Sequence, residues 1–158
     1  MNLGITITSA VLLLLVVAPV ALIQQQQKKK EKNLLKALKT LTNQHHATLS
    51  EYDVFRNFAI GMDSETKRLF FYKKDNSNII AQHFDLNEFT SCGILKSKKA
   101  SPQNKSEQIA KLQLILNPKH HSKAHEAIEI YNQESDFQLD GELDVLHKWE
   151  RLIQNSLK

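Results

Sequence analysis

Cysteine is almost missing from this chain. Cys92 is the only one, so no disulfide can form within the chain, a usage that fits a reducing compartment. Glycine is scarce as well, with 4 residues in 158, which argues against a Gly-rich phosphate loop. Tryptophan occurs once, as Trp149, ten residues from the end. No charged side chain precedes Lys28. No catalytic signature stands out either. A chain of this length fits one folded domain plus an additional segment.

The net charge is +4, and its placement matters more than its size. Between residues 28 and 39 lie Lys28, Lys29, Lys30, Lys32, Lys36 and Lys39 against Glu31 alone, a local +5 that leaves −1 for everything else. A nucleic-acid-binding domain carries its positive excess on the folded part. Here the excess is confined to one short block, so nucleic acid is not an expected partner.

Residues 3–23 read LGITITSAVLLLLVVAPVALI. At about 1.5 Å per residue, such a helix spans roughly 30 Å, the thickness of a bilayer core. A cleaved signal peptide would want a basic n-region, a short apolar core and a small-x-small site. MNL has no Lys or Arg, the run is long, and Pro19 follows Ala18 directly. A retained signal-anchor over residues 1–23 is the expectation. The lysines Lys28, Lys29, Lys30 and Lys32 just beyond it favour the cytoplasmic side, which makes this a single-pass membrane protein with a cytoplasmic soluble region. They would lie close to anionic headgroups, although setting topology suffices to explain them.

Residues 24–50 continue with good helix formers. Leu34, Leu38 and Leu41, with Leu35 alongside, form an amphipathic stripe. The stripe is too short for a secure coiled coil, so a basic juxtamembrane helix that docks on the domain or acts as a stalk is expected.

From Tyr52 the pattern turns to short runs of β-formers divided by turn chemistry: YDVFRNFAIGMD, RLFFYKK, IIAQHF, DLNEF, TSCGILK, IAKLQLIL and HEAIEIYN. KSKKASPQNKSEQ, poor in apolar residues, reads as an exposed loop. Connections of about four residues imply hairpins, not crossovers. The chain ends in LDGELDVLHKWERLIQNSLK, where Val145, Leu146, Trp149, Leu152, Ile153 and Leu157 share one stripe behind N-cap positions Asp140 and Gly141. The expected fold class is α+β: an N-terminal transmembrane helix, a juxtamembrane helix, then an antiparallel β-barrel or sandwich of about six or seven strands capped by a C-terminal helix. A further strand has room in Phe55–Met62 or Phe137–Leu139. Trp149 is expected as a core plug.

The hairpins around IGMD-SETK-RLFFYKK, the short DLNEF before SCGILK, and a last helix with a central Trp resemble a pleckstrin-homology-like domain over residues 51–158. The whole chain resembles small bacterial membrane-anchored proteins with such a domain, a family that assigns no activity. The resemblance implies a bent barrel closed at one end by the helix. It also raises phosphoinositide binding, which in that fold usually needs basic residues between the first two strands. Taken as that loop, Asp63-Ser64-Glu65-Thr66 carries two acids. Lys98 and Lys99 offer a second possible headgroup loop.

Other constellations are thin. His45 and His46 are adjacent, as are His120 and His121, with His125 four further on. An i, i+4 His pair binds metal when it lies on a helix, but Pro118 and the strand-like run after it oppose that spacing. Solvated loop histidines are the simpler reading. Cys92, inside an apparent strand, reads as a small core residue. Glu126–Asp144 holds seven carboxylates and no Lys or Arg, either a surface for a partner or a solvated face. These features predict no catalytic residue, metal or cofactor. The expected function is a non-enzymatic, membrane-anchored adaptor that binds a protein partner. Its rivals are an anionic-lipid headgroup-binding module and, on the histidines alone, a metal-dependent hydrolase.

Overall fold

The computed structural model describes residues 3–75, 78–101, 104–120, 122–136 and 138–158, with side chains omitted for 3–23, 100, 101 and 104–107. Helix α1 runs unbroken over Leu3–Gln44. Seven strands follow: β1 Glu51–Phe55, β2 Phe58–Asp63, β3 Arg68–Asp75, β4 Asn78–Asp85, β5 Phe89–Ser101, β6 Asn104–Pro118 and β7 Glu126–Asn132, before helix α2, Glu142–Leu157. The anchor expected over residues 1–23 lies outside the residues described with side chains. Among the described residues no helix is long and apolar enough to cross a membrane.

Seven strands arise because YDVFRNFAIGMD is itself a hairpin. Arg56, at φ 47°, takes the left-handed conformation in the tight turn between β1 and β2. The loop between the first two strands is therefore Arg56-Asn57, and Asp63–Thr66 belongs to the turn after β2. DLNEF is no strand at its start. Asp85 caps a single 3-10 turn, Leu86–Glu88, through the Asn87 N–H.

β1–β4 form one antiparallel sheet and β5–β7 another. They share one core, where Phe58, Ile60, Leu69 and Phe71 meet Leu112, Leu114, Leu116 and Ile128. Of the expected barrel or sandwich, the closed barrel is not formed: among the described residues no pairing joins the two sheets. At one seam α2 stands in place of strand pairing. Gln154 Nε2 donates to the Cys92 carbonyl on β5 at 3.0 Å, while Trp149 Nε1 donates to Asp53 on β1 at 2.8 Å. Leu146, Trp149 and Ile153, on one helix stripe, are buried between the sheets. The other seam, beside β4, is open.

The first sheet is covered on both faces, which explains why β2 and β3 read as nearly continuous apolar runs. Its outer face receives α1. Leu34, Leu38 and Thr42, spaced by four, are buried there against Ala59 and Phe70. Each such leucine contributes about 1.5–3 kcal/mol on burial. Thr42 keeps its hydroxyl satisfied by donating to the Leu38 carbonyl at 2.8 Å. The close approach rests on Gly61, where a Cβ would stand 2.6 Å from Leu49 Cδ2 and 3.1 Å from Leu38 Cδ2. His46, at φ 52°, ends the helix, and the Ala47 N–H reaches back to the Thr42 carbonyl.

The described residues of the stretch read as a loop, KSKKASPQNKSEQ, belong to β5 and β6, with Lys98 opposite Ile109 and Lys99 opposite Gln108. It looked loop-like because no described residue of this hairpin beyond Ile94 and Ile109 joins the core.

Candidate functional site

Two side-chain systems were not foreseen, and the first ties the two sheets together. Lys73 on β3 is buried between the sheets. Its ammonium donates to Asp136 Oδ2 at 2.8 Å and to the Ile130 carbonyl of β7 at 3.1 Å. Asp136 also accepts from Asn57 Nδ2 and the Asn132 N–H, both at 2.8 Å. The second system is Asp63, which accepts from the N–H groups of Thr48, Glu65 and Thr66. Burial pushes its carboxyl up, but the N–H groups of Thr48, Thr66 and Glu65, with the Thr66 hydroxyl, outweigh that and hold it below its ordinary value. Asp63 thereby fastens the chain after α1 to the turn after β2.

The seven carboxylates of Glu126–Asp144 divide. Asp136 holds Lys73 and Glu142 is buried beside Arg56, so these two are internal. Asp140 pairs with Arg56 at 2.7 Å on the surface, and Glu129 lies 3.6 Å from Lys111. Glu126, Glu134 and Asp144 are exposed.

The open seam is the feature with room for another molecule. An open cleft of about 570 Å³ lies beside the last four residues of β4 and is lined by His45, Arg68, Gln82, His83, Phe84, Asp85, Glu88, Phe89 and Glu126. His45 and His83 stack with centroids 3.8 Å apart, and Arg68 donates to the His45 carbonyl at 2.8 Å. Burial, then the charges of His45 and Arg68, hold His83 below its ordinary value. His45 is therefore no solvated loop histidine: it pins the end of α1 to the β4 edge. Glu88 of the cleft pairs with Lys123 at 2.9 Å.

Among the described residues β4 pairs only with β3, and Gln82–Asp85 of its other edge meets this cleft. Among the described residues, no hydrogen bond outside the β3–β4 ladder involves the backbone of residues 78–84. On the outer face a second groove, about 420 Å³, separates β4 from α1, with Ala37, Thr40, Leu41 and Gln44 on one side and Ala81 on the other. IIAQHF carries no Lys, Arg or Pro. That was the available sequence signal, since those residues commonly guard free edges.

The other singled-out residues lie elsewhere. Lys28, Lys29, Lys30 and Lys32 are exposed on α1 before its docked part, and Lys98 and Lys99 are exposed on the β5–β6 hairpin. The structure does not bring these two groups together at the cleft. Lys30 instead lines a separate cleft of about 380 Å³ with Arg56, Tyr72 and Lys74. Cys92 is buried, and burial with the nearby Glu150 carboxylate pushes its thiol up to about 12. His46, His120 and His125 are exposed, and His121 lies outside the described residues. Among the described residues, no three His, Cys, Asp or Glu side chains are grouped so as to hold a metal ion. Comparison with protein-family models, curated proteins and solved structures finds no match for this chain.

Proposed function

We propose that this protein is a single-pass, membrane-anchored interaction module that holds its folded region on the cytoplasmic side and binds a protein partner without catalysing a reaction. The observation that carries the reading is the eight-residue edge of β4, which pairs with no further strand among the described residues and opens at Gln82–Asp85 into a cleft. Exposed sheet edges recruit extended segments through main-chain hydrogen bonds. The apolar run of residues 3–23 and the lysines after it support the anchor and its orientation. Seven strands in two sheets with a terminal helix that seats a tryptophan support the pleckstrin-homology-like reading. The sealed Cys92 thiol supports a non-catalytic role, because a nucleophilic cysteine needs access and thiolate character.

A second reading has an observation of its own. Lys30, Arg56 and Lys74 line one cleft, at the end of the sheet nearest the N-terminal half of α1. Three cations there outnumber Asp75 and suit anionic headgroups, although Arg56 is already paired with Asp140. Native mass spectrometry of the full chain, chemically cross-linked in its own membranes before extraction, separates the readings. A stoichiometric protein partner is the expected result. A chain that runs alone, with Lys30 and Lys74 shielded from acetylation in phosphatidylserine nanodiscs but not in phosphatidylcholine ones, would replace the first reading with the second.

A further inference from the structure

Resting on the partner-binding reading, we infer that the β4 edge is the docking site, and that its occupant is an extended segment of a different protein, added as an extra strand. The four edges of the two sheets are not equivalent. The β5 edge gives its Cys92 carbonyl to Gln154 of α2. The β7 edge gives its Ile130 carbonyl to Lys73 and its Asn132 N–H to Asp136. β1 is short, at five residues, and Asp53 on it is tied to Trp149 and Lys148 of α2. β4 offers eight residues, and Ile79 on it is 61% exposed.

The surroundings also fit a strand. Side chains alternate across an added strand, and there is space on both faces of β4. The outer set would enter the groove between Ala81 and Thr40 and Leu41 of α1. The inner set would enter the cleft beside Phe84, Phe89 and Glu126. Asp85, Glu88 and Glu126 outnumber Arg68 there, and Lys123 answers only Glu88. The matching segment is apolar toward α1 and carries a Lys or Arg toward Glu126.

A second copy of this chain is a poor occupant. The symmetric pairing of two identical edges is antiparallel, about a two-fold axis normal to the sheet. α1 runs antiparallel to β3, with Leu34 near Tyr72 and His45 near Arg68. The two-fold would therefore point the two copies of α1 in opposite directions. Two chains anchored in one bilayer leave it in the same direction, so they are barred from pairing in this way.

The test is site-specific photo-crosslinking in native membranes. The full chain carries a photo-reactive phenylalanine in place of Ile79, of Ala81, or of Leu95 on the outer face of the other sheet. Strand addition predicts that the probes at 79 and 81 capture one protein at sites two residues apart, that the probe at 95 does not, and that Ala81→Lys cuts capture from 79 at least tenfold. Trp149 emission checks that the lysine variant remains folded. Adducts with a second copy or with lipid, sites without the two-residue step, equal capture from Leu95, or no adduct at all would each overturn the inference. A stoichiometric partner seen by mass spectrometry alongside any of these outcomes would leave the broader function standing.

Discussion

Lys73 and Asp136 are 63 positions apart and meet between the sheets, with side chains only 3% and 9% exposed. Removing either one leaves the other behind, but the two losses are unequal. After Asp136→Ala the ammonium keeps only the Ile130 carbonyl, and the Asn57 amide and the Asn132 N–H lose their acceptor as well. Stranding one member of a buried pair costs about 3–5 kcal/mol. After Lys73→Met the carboxylate still accepts from Asn57 and Asn132, so the cost falls to about 1–3 kcal/mol, that of a buried group short of one partner. The double variant removes both charges and should cost less than the sum of the singles by about 0.5–3 kcal/mol. Urea unfolding of the full chain in detergent micelles measures all three, and the single Trp149 serves as the fluorophore. Equal single costs, or a strictly additive double variant, would refute the assignment of Asp136 as the better-supported partner.

Gly61→Val should pry α1 from the sheet, because the new side chain collides with Leu49 and Leu38 and lies within 3.2 Å of the Glu51 carbonyl. About 1–3 kcal/mol lost, with faster hydrogen exchange at Leu34–Thr42, is the expected outcome. Trp149→Ala should cost about 3–5 kcal/mol by calorimetry or urea titration, whereas Lys148→Ala, on the exposed side of the same helix, should cost under about 1 kcal/mol. Asp63 has a carboxyl held below its unfolded value, so it adds stability that is complete above about pH 4 and fades as pH falls through its folded value; Asp63→Asn should flatten stability across that acidic range. The lowered His83 works in the same sense nearer neutrality: its contribution is full above about pH 6.5 and declines below it. A His83→Asn variant whose stability still falls as steeply from pH 7 to 5.5 would contradict that account.

The sequence was legible where period and composition agree. The leucines of α1, the alternation of Leu112, Leu114 and Leu116, and the stripe around Trp149 all name their faces correctly. It misled where polarity had another cause. The far β5–β6 hairpin looked like a loop because nothing described lies beneath it to demand apolar residues. The further strand given room in Phe55–Met62 is β2, although the turn before it is only Arg56-Asn57, without a glycine to announce it. Nothing in RLFFYKKD marks Lys73 as buried, since its partner comes from a distant segment. The cleft was harder still, because His45, Arg68, His83 and Glu126 are brought together only by the docking of α1 and the meeting of two sheets.

Helix α1 is unbroken from Leu3 to Gln44, and its last turns are clamped to the sheet. Under the proposed anchoring, the β4 edge is therefore held at a set height and heading above the bilayer, with no slack tether to average over. A partner confined to the same membrane would meet that edge repeatedly, at an effective concentration on the order of millimolar. Its intrinsic affinity needs to be no stronger than that to keep the site filled. Extraction into detergent dilutes both proteins and removes this advantage, so a complex that is saturated in the membrane falls apart on solubilisation. Chemical capture before extraction is then the condition under which the partner is seen.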